Sequence, residues 1–490
     1  VSEELELDKV NVRSQAVNTF STYNFIGAHD TIELAPYKEY FVEIKNILSQ
    51  QAGIDILSVS GVGQYATPNI RGSQGQQVLV FENSIPVNDL NGSSADIGLV
   101  GINGASKIEV YRSFIPMELS PTAIGGAINV ITDLNNDNQG AFKQTIGTYG
   151  VTQTSLNQSL SYKKWLLSFG LENNDAENDF IYKELQPVSS PSSPQYESRY
   201  NNATSLKQQF LNTKYQISTA QSLELKFKKS QSNRELAGEI NTNENTANIK
   251  NEKNALQAIH TYTLNNKSTI RSQYSQSNTL ELYDDRGSSI GLGSQYNQYI
   301  TDFNKWNVNY TLPLSSATLI INQQYQTETI DIEYLNDNNS NTDSCYINGN
   351  CDREYTRQQF NTGSRLEWNL SKILTWNNQM VYISSKDDPF SKESTSNNNQ
   401  FWSSHSGIKI DIHPGTDLSA SFNRQYRPAS TSELFGDKGS SVGNPNLKAE
   451  ESESIEIGFN YHNLNIEIKS AAYLRNVKNN ITAQQDSRGI

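Results

Sequence analysis

From Ala141 onward apolar and polar side chains alternate with a period of two, which confines most of this chain to half-buried β-structure. Leu223, Leu225 and Phe227 alternate with Glu224, Lys226 and Lys228. Trp306, Val308, Tyr310 and Leu312 alternate with Lys305, Asn307, Asn309 and Thr311. The clearest hairpin runs Ile455, Ile457, Phe459, Tyr461, a tight turn expected at His462-Asn463, then Leu464, Ile466, Ile468, with both apolar faces in phase. Short connections, near Tyr162-Lys163, Thr219-Gln221, Asn265-Lys267, Pro313-Ser315, Ser371-Lys372 and His413-Asp417, alternate with long polar ones such as Asn173–Asn202, Asp331–Arg353, Lys386–Asn399 and Pro428–Glu450. Short turns at one end and long loops at the other are the asymmetry of membrane barrels, whereas a soluble sandwich buries its apolar faces against each other.

Composition supports that reading. Only 35% of the 490 residues are apolar and mean hydropathy is −0.63, too polar for a large soluble core yet without the charge excess of a disordered chain. A barrel with a polar lumen and polar loops averages out this way. No run of 18 apolar residues is available for a transmembrane helix, so any crossing falls to strands. The 25 tyrosines suit rings with one wet and one apolar end. A net charge of −13 with scattered Lys and Arg argues against nucleic acid as a partner. Val1-Ser-Glu-Glu lacks a signal pattern, so an export signal is expected to have been removed or not included, and cytosol does not follow.

The first 133 residues read differently. Residues 1–30 are a polar, irregular extension. Tyr40 to Gln51 places Phe41, Ile44, Ile47 and Leu48 on one helical face, with Gly53 as the stop. Short β segments follow: Ile54-Asp-Ile-Leu57, the hairpin Val78-Leu-Val-Phe81 … Ile85-Pro-Val-Asn88, Lys107-Ile-Glu-Val-Tyr-Arg112 and Ala123-Ile-Gly-Gly-Ala-Ile-Asn-Val-Ile-Thr132. The expected division is an extension at 1–30, a small α/β domain at 31–133 and a barrel at 134–490.

This β series, with Ile70-Arg71-Gly72 before it, resembles the plug domain of TonB-dependent outer-membrane receptors. A second run, Arg427-Pro-Ala-Ser … Glu433-Leu-Phe … Gly443-Asn-Pro-Asn-Leu-Lys-Ala-Glu450 and Ser454-Ile-Glu-Ile-Gly458, resembles the loop and strand late in their barrels. The resemblance implies an all-β transmembrane antiparallel β-barrel with an N-terminal α/β plug in its lumen. It implies twenty-two strands, of which about fifteen can be counted, so a C-terminal truncation is expected. The chain departs from the family at Asn83-Ser84, where Asp-Gly is usual, and at Arg112-Ser113-Phe114, where Arg-Gly-Pro is usual.

The family's site residues carry over as expectations. Leu7, Asp8, Lys9, Val10, Asn11 and Val12 resemble the TonB box, which adds a strand to the TonB protein, itself driven by an inner-membrane energising complex. Arg71 and Arg112 match plug positions that form a buried ionic lock with barrel glutamates, and Glu456, on the polar face of its strand, is the expected partner. Gln64, Tyr65, Thr67, Asn88 and Asp89 fall in the loops implied to touch ligand. Cys345 and Cys351 close a short polar loop that a disulfide would staple in an oxidising compartment.

The implied function is energised uptake of a scarce ligand across the bacterial outer membrane, with lipid around the barrel. A ferric siderophore is expected first, with cobalamin, or a non-energised surface binding or adhesion barrel, as alternatives. Haem receptors of the family carry a His between the two late motif boxes, and none lies between Arg427 and Asn444. Copper would call for soft ligands, and the chain has two Met. No catalytic motif, resident metal or cofactor is expected, and Asn336–Asp352 lacks the spacing of a calcium loop.

Overall fold

The computed structural model describes residues 26–482 apart from 60, 91, 93, 135–136, 184–195, 239–245, 291–293, 336–352, 390–395, 437–442 and 464. Two bodies of β-structure are built around each other. The inner one carries β1 (His29–Glu33), α1 (Ile44–Leu48), β2 (Ile54–Ser58), β3 (Ala66–Ile70), β4 (Val78–Glu82), β5 (Ile85–Pro86), β6 (Lys107–Tyr111) and β7 (Gly126–Ile131). Its main sheet has the order β1-β6-β7-β4-β5, with β4 and β7 parallel, and β2 pairs with β3. Ile44, Ile47 and Leu48 of α1 close a core with Ile70, Val78, Val80, Ile108, Val110, Ile128 and Val130. The helix is shorter than the apolar spacing predicts. It starts only after Glu43, whose extended backbone and side chain form a capping box with Asn46, and Phe41 stays outside it, partly exposed.

The outer body is one antiparallel sheet of fifteen strands, from 139–146 to 467–478, each paired with its sequence neighbours. Its polarity is inside out. Asn307, Asn322, Asn361 and Asn377 are at most 1% exposed on the lumenal face, while Trp306, Ile321, Phe360 and Met380 are 41–55% exposed on the other. Such a face belongs in lipid, and among the described residues no helix is long and apolar enough to cross a membrane. Opposite Trp306 stand Tyr274 and Tyr325, and opposite Tyr325 stands Phe360, an aromatic row on that face.

Two details differ from the sequence reading. The last hairpin closes with the Asn463 N–H on the Ile466 carbonyl, and its second strand is Glu467–Lys478. Asn463 spans this turn, its Oδ1 accepting the Asn465 and Ile466 N–H groups, and Tyr461 still faces Ile468 so the apolar faces stay in phase. Within the stretch expected as a loop at 173–202, the strand continues to Ala176 and a small hairpin pairs Ile181–Lys183 with Tyr196–Ser198.

Candidate functional site

The inner domain meets the wall through buried charge. Arg71 follows β3 in the left-handed region (φ 53°) ahead of Gly72 (φ 74°), and its N–H is held by the Gly53 carbonyl. That bend sends its guanidinium outward to Glu456 on the wall strand Glu450–His462, with Nη1 to Oε2 at 2.5 Å and both side chains under 10% exposed. Ser113 Oγ donates to the same Oε2 at 2.6 Å, and the Ala28 N–H donates to Oε1 at 2.5 Å. Tyr473, on the neighbouring strand, lies 4.2 Å from the guanidinium carbon. One carboxylate thus gathers three parts of the plug: the residues entering β1, the bend after β3 and the residue where Gly is usual.

Arg112 is not on a barrel glutamate. Its Nη1 pairs with Asp30 Oδ2 at 2.6 Å and its Nε donates to the Ala52 carbonyl. Asp30 lies on β1 opposite Val110, so Arg112 is its diagonal neighbour on the same face. Among the described residues, the wall's ionic contact with this pair comes from Lys469, 3.4 Å from Asp30 Oδ1. Burial alone would raise the Asp30 carboxyl, but Arg112 and then Lys469 outweigh it and hold it below the ordinary range. Burial pushes neighbouring His29 below its ordinary value, against the pull of Asp30.

Sequence reasoning missed the second buried joint. Glu118, in the turn Met117–Leu119, takes a two-pronged contact from Arg365 of the wall at 2.9 and 3.2 Å, with both side chains at most 1% exposed. Around it, Gln379 bonds the Met117 N–H and the Ile115 carbonyl, Asn307 bonds the Glu118 carbonyl, and Ser120 meets Gln324, Gln326 and Asn361. Met117 packs on Ile320, Val381, Ile383 and Phe401. Higher up, Arg234 of the wall pairs with Asp96 of the plug at 2.5 Å. The late motif makes a third network. Arg427 grips Glu433 and Glu450, Glu450 accepts from Gln77 of the plug, and Thr431 donates to the Leu90 carbonyl.

The five candidate ligand residues do not converge. Gln64 is 2% exposed, and its amide donates to the carbonyl and side chain of Asn202 and to the Glu235 carbonyl. Asn88, just after β5, is turned back onto β4, accepting from the Val80 N–H and donating to the Val78 carbonyl. Thr67 is 3% exposed beneath Gly75. These three are placed as packing and bracing groups, whereas Tyr65 and Asp89 are partly exposed. Burial pushes the Tyr65 hydroxyl up. Leu7, Asp8, Lys9, Val10, Asn11 and Val12, and the pair Cys345 and Cys351, lie outside the described residues. Among the described residues no group of three His, Cys, Asp or Glu is placed to hold a metal.

Comparison with known proteins decides the family. Residues 195–490 match the model of the TonB dependent receptor-like β-barrel, and residues 38–127 match that of the TonB-dependent receptor plug domain. The chain belongs to the TonB-dependent receptors. It is thereby an outer-membrane protein of a Gram-negative bacterium with a plug and a barrel. A vitamin B12 transporter, BtuB, from Photobacterium profundum is 29% identical over 89 residues, which span 18% of this chain and 14% of the transporter's length. In structure, the copper transporter OprC superposes with a TM-score of 0.75 at 12% identity, over 92% of this chain and 72% of its own. The ferripyoverdine receptor of Pseudomonas aeruginosa gives 0.72 at 10%, over 95% and 64%. The alcaligin receptor FauA of Bordetella pertussis gives 0.68 at 11%, over 93% and 71%. At such identities these likenesses establish the fold.

Proposed function

We propose that this receptor takes up a scarce ligand across the outer membrane under TonB drive, with a ferric siderophore as the ligand. The observation that carries the reading is the convergence on Glu456. The carboxylate that pairs with Arg71 also holds the Ala28 N–H, at the point where the N-terminal segment enters the plug. Tension on residues ahead of Ala28 is therefore applied first to this carboxylate, and the ion pair that joins plug to wall is the first joint loaded. In this reading Leu7–Val12 adds a strand to TonB, Arg71 and Glu456 act as the lock, and Tyr65 and Asp89 face the ligand side. The siderophore reading rests on the receptors of like fold, among them those for ferripyoverdine and alcaligin. The match to a vitamin B12 transporter favours cobalamin as the second reading.

The test is deletion of Leu7–Val12 in the receptor expressed in its own cell. Ligand binding should persist while uptake is lost. Uptake that continues in a strain lacking TonB points to a passive or adhesive barrel. Growth of a receptor-deletion strain under iron limitation with defined siderophores, set against growth dependent on cobalamin, separates the two ligand readings.

A further inference from the structure

The lumenal wall carries a strip of cations that the transport reading leaves without a role. On the strands 221–235, 248–263 and 295–313, Lys226, Lys228, Lys253 and Lys305 all reach one piece of the plug, the β4–β5 hairpin and its flank. Lys226 donates to the Thr132 carbonyl at 2.7 Å, Lys253 to the Pro86 carbonyl at 2.7 Å and Lys305 to the Ser84 carbonyl at 2.7 Å, while Lys228 pairs with Glu82. Gln257 donates to the Asn83 carbonyl at 2.7 Å. Lys305 is 1% exposed. Below them, toward the short turns, Lys214 and Arg271 lie on the same lumenal face, since Lys214 is opposite Glu224 and Arg271 opposite Thr261. Of the carboxylates, Glu224 lies 3.1 Å from Lys226 on this sector of wall, Glu281 and Glu328 share the lumenal face, and Glu82 and Asp89 come from the plug. A chain of net charge −13 has gathered six cations on one sector, beside an open crevice between hairpin and wall lined by Glu82, Asn83, Lys226, Lys228, Lys253 and Gln257.

Three of the four ammonium groups rest on carbonyl oxygens, which are weak partners; full negative charge comes from Glu82 at Lys228, from Glu224 at Lys226 and, near Lys253, from Glu328 and Asp89. When the hairpin leaves the wall, the four lysines lose their plug acceptors together, with the wall carboxylates Glu224 and Glu328 left beside Lys226 and Lys253, and a desolvated cation is costly until an anion meets it. We infer that this strip is a binding track for anionic cargo, a carboxylate- or phenolate-bearing chelate, exposed as the β4–β5 hairpin withdraws. The inference rests on the transport reading and narrows its substrate class. The track offers an anion a run of ammonium groups from Lys253 down to Lys226 and Lys305, with Arg271 and Lys214 beyond, toward the short-turn end of the wall.

The probe is a pair of charged thiol reagents, an anionic and a cationic methanethiosulfonate. They are applied to cells expressing the whole receptor as Ala255→Cys in a background with Cys345→Ser and Cys351→Ser. Ala255 lines the crevice between Lys253 and Gln257. The anionic reagent should react about ten-fold faster, relative to the free-thiol rates of the two, because a cleft with an excess of cations raises local counter-ion concentration by that order. The preference should fall toward unity when Lys226, Lys228, Lys253 and Lys305 are all replaced by Gln, and persist when they are replaced by Arg. Heat-modifiable migration on gels identifies the variants that fold, and the single change Lys253→Gln should halve the preference or more. A ratio near unity or favouring the cation in the Ala255→Cys receptor overturns the track, as does a ratio unmoved by the Gln variants. Collapsing the proton gradient reads the transport reading separately. Modification that is equally fast with and without the gradient counts against TonB drive and leaves the anion preference to be judged on the ratio alone.

Discussion

At the scale of residues, the lock depends on how many groups share one carboxylate. Glu456→Ala leaves Arg71 buried without its counter-charge and also frees Ser113 Oγ and the Ala28 N–H. Breaking a buried pair by removing one partner costs about 3–5 kcal/mol. The expected result is a lower urea midpoint for plug loosening, read by a spin label at the exposed Thr31 (Thr31→Cys), with Glu456→Gln intermediate. A label indifferent to both changes would show that Glu456 bears no load. The same label reads the pH dependence of β1. His29 lies below its ordinary imidazole value because burial disfavours the charged form, so its contribution is complete above 6.5 and is lost as pH falls through the lowered value. Asp30 has the same sign at lower pH, since its carboxyl is held below 3.8. Between about pH 7.5 and about pH 5.5 label mobility should rise in the parent and rise less in His29→Gln. Equal responses would dismiss His29 as the group involved. Glu456 was legible in the sequence because its strand alternates cleanly and its neighbours Ile455 and Ile457 fix it on the lumenal face. Asp30 was not, because β1 falls where the sequence has no periodicity and its strand character comes from pairing with β6.

At the scale of elements, the β4–β5 turn shows how a departure from the usual sequence is accommodated. Asn83 and Ser84 both have positive φ (51° and 67°), the primed turn that suits a two-residue hairpin. Asn83 tolerates that region and ties its side chain to Thr132, its Oδ1 accepting the Thr132 N–H at 2.9 Å. Ser84 has a Cβ in the same region and is 4% exposed, with its N–H on Asn129. Ser84→Gly should therefore relieve strain and raise plug stability by about 0.5–1 kcal/mol, whereas Ser84→Val should lower it by more. Urea titration of both variants checks the order, and a destabilising Ser84→Gly would mean that strain at this φ is not the governing term. The geometry of the Asn83-Ser84 turn was not readable from the sequence, whereas the hairpin was, from its resemblance to the plug series. The segment at 115–120 was not: lumenal Asn, Gln and Arg on a barrel wall all share the period-two position. Which of them meets Glu118 or Ser120 depends on how deep the plug sits, a tertiary fact.

At the scale of the whole molecule, the plug is joined to the wall unevenly. Near its entry, the contact runs through Glu456 and the exposed Lys469. At 115–120 it runs through a buried two-pronged ion pair, bonds from Gln379, Asn307, Gln324 and Asn361, and the packing of Met117. A pull from the N-terminus meets the weaker joint first, so the two joints should respond differently to a covalent tether. Gly27 and Ser421 are close enough for one tether, since a Cβ on Gly27 falls 3.7 Å from Ser421 Oγ, although a side chain at Gly27 (φ 139°) brings backbone strain. Ser120 and Asn361, 3.2 Å apart at their side-chain ends, are suited to the other. On the siderophore reading, the double variant Gly27→Cys/Ser421→Cys, oxidised, should stop siderophore-dependent growth under iron limitation while leaving ligand binding intact, and reductant should restore growth. Ser120→Cys/Asn361→Cys, oxidised, should leave growth largely unchanged, because the joint it reinforces is the one that holds while the hairpin and β1 move. Growth arrest by both tethers would mean that the plug moves as one body and that the second joint opens in every cycle. Growth through both would remove plug motion at Gly27 from the mechanism.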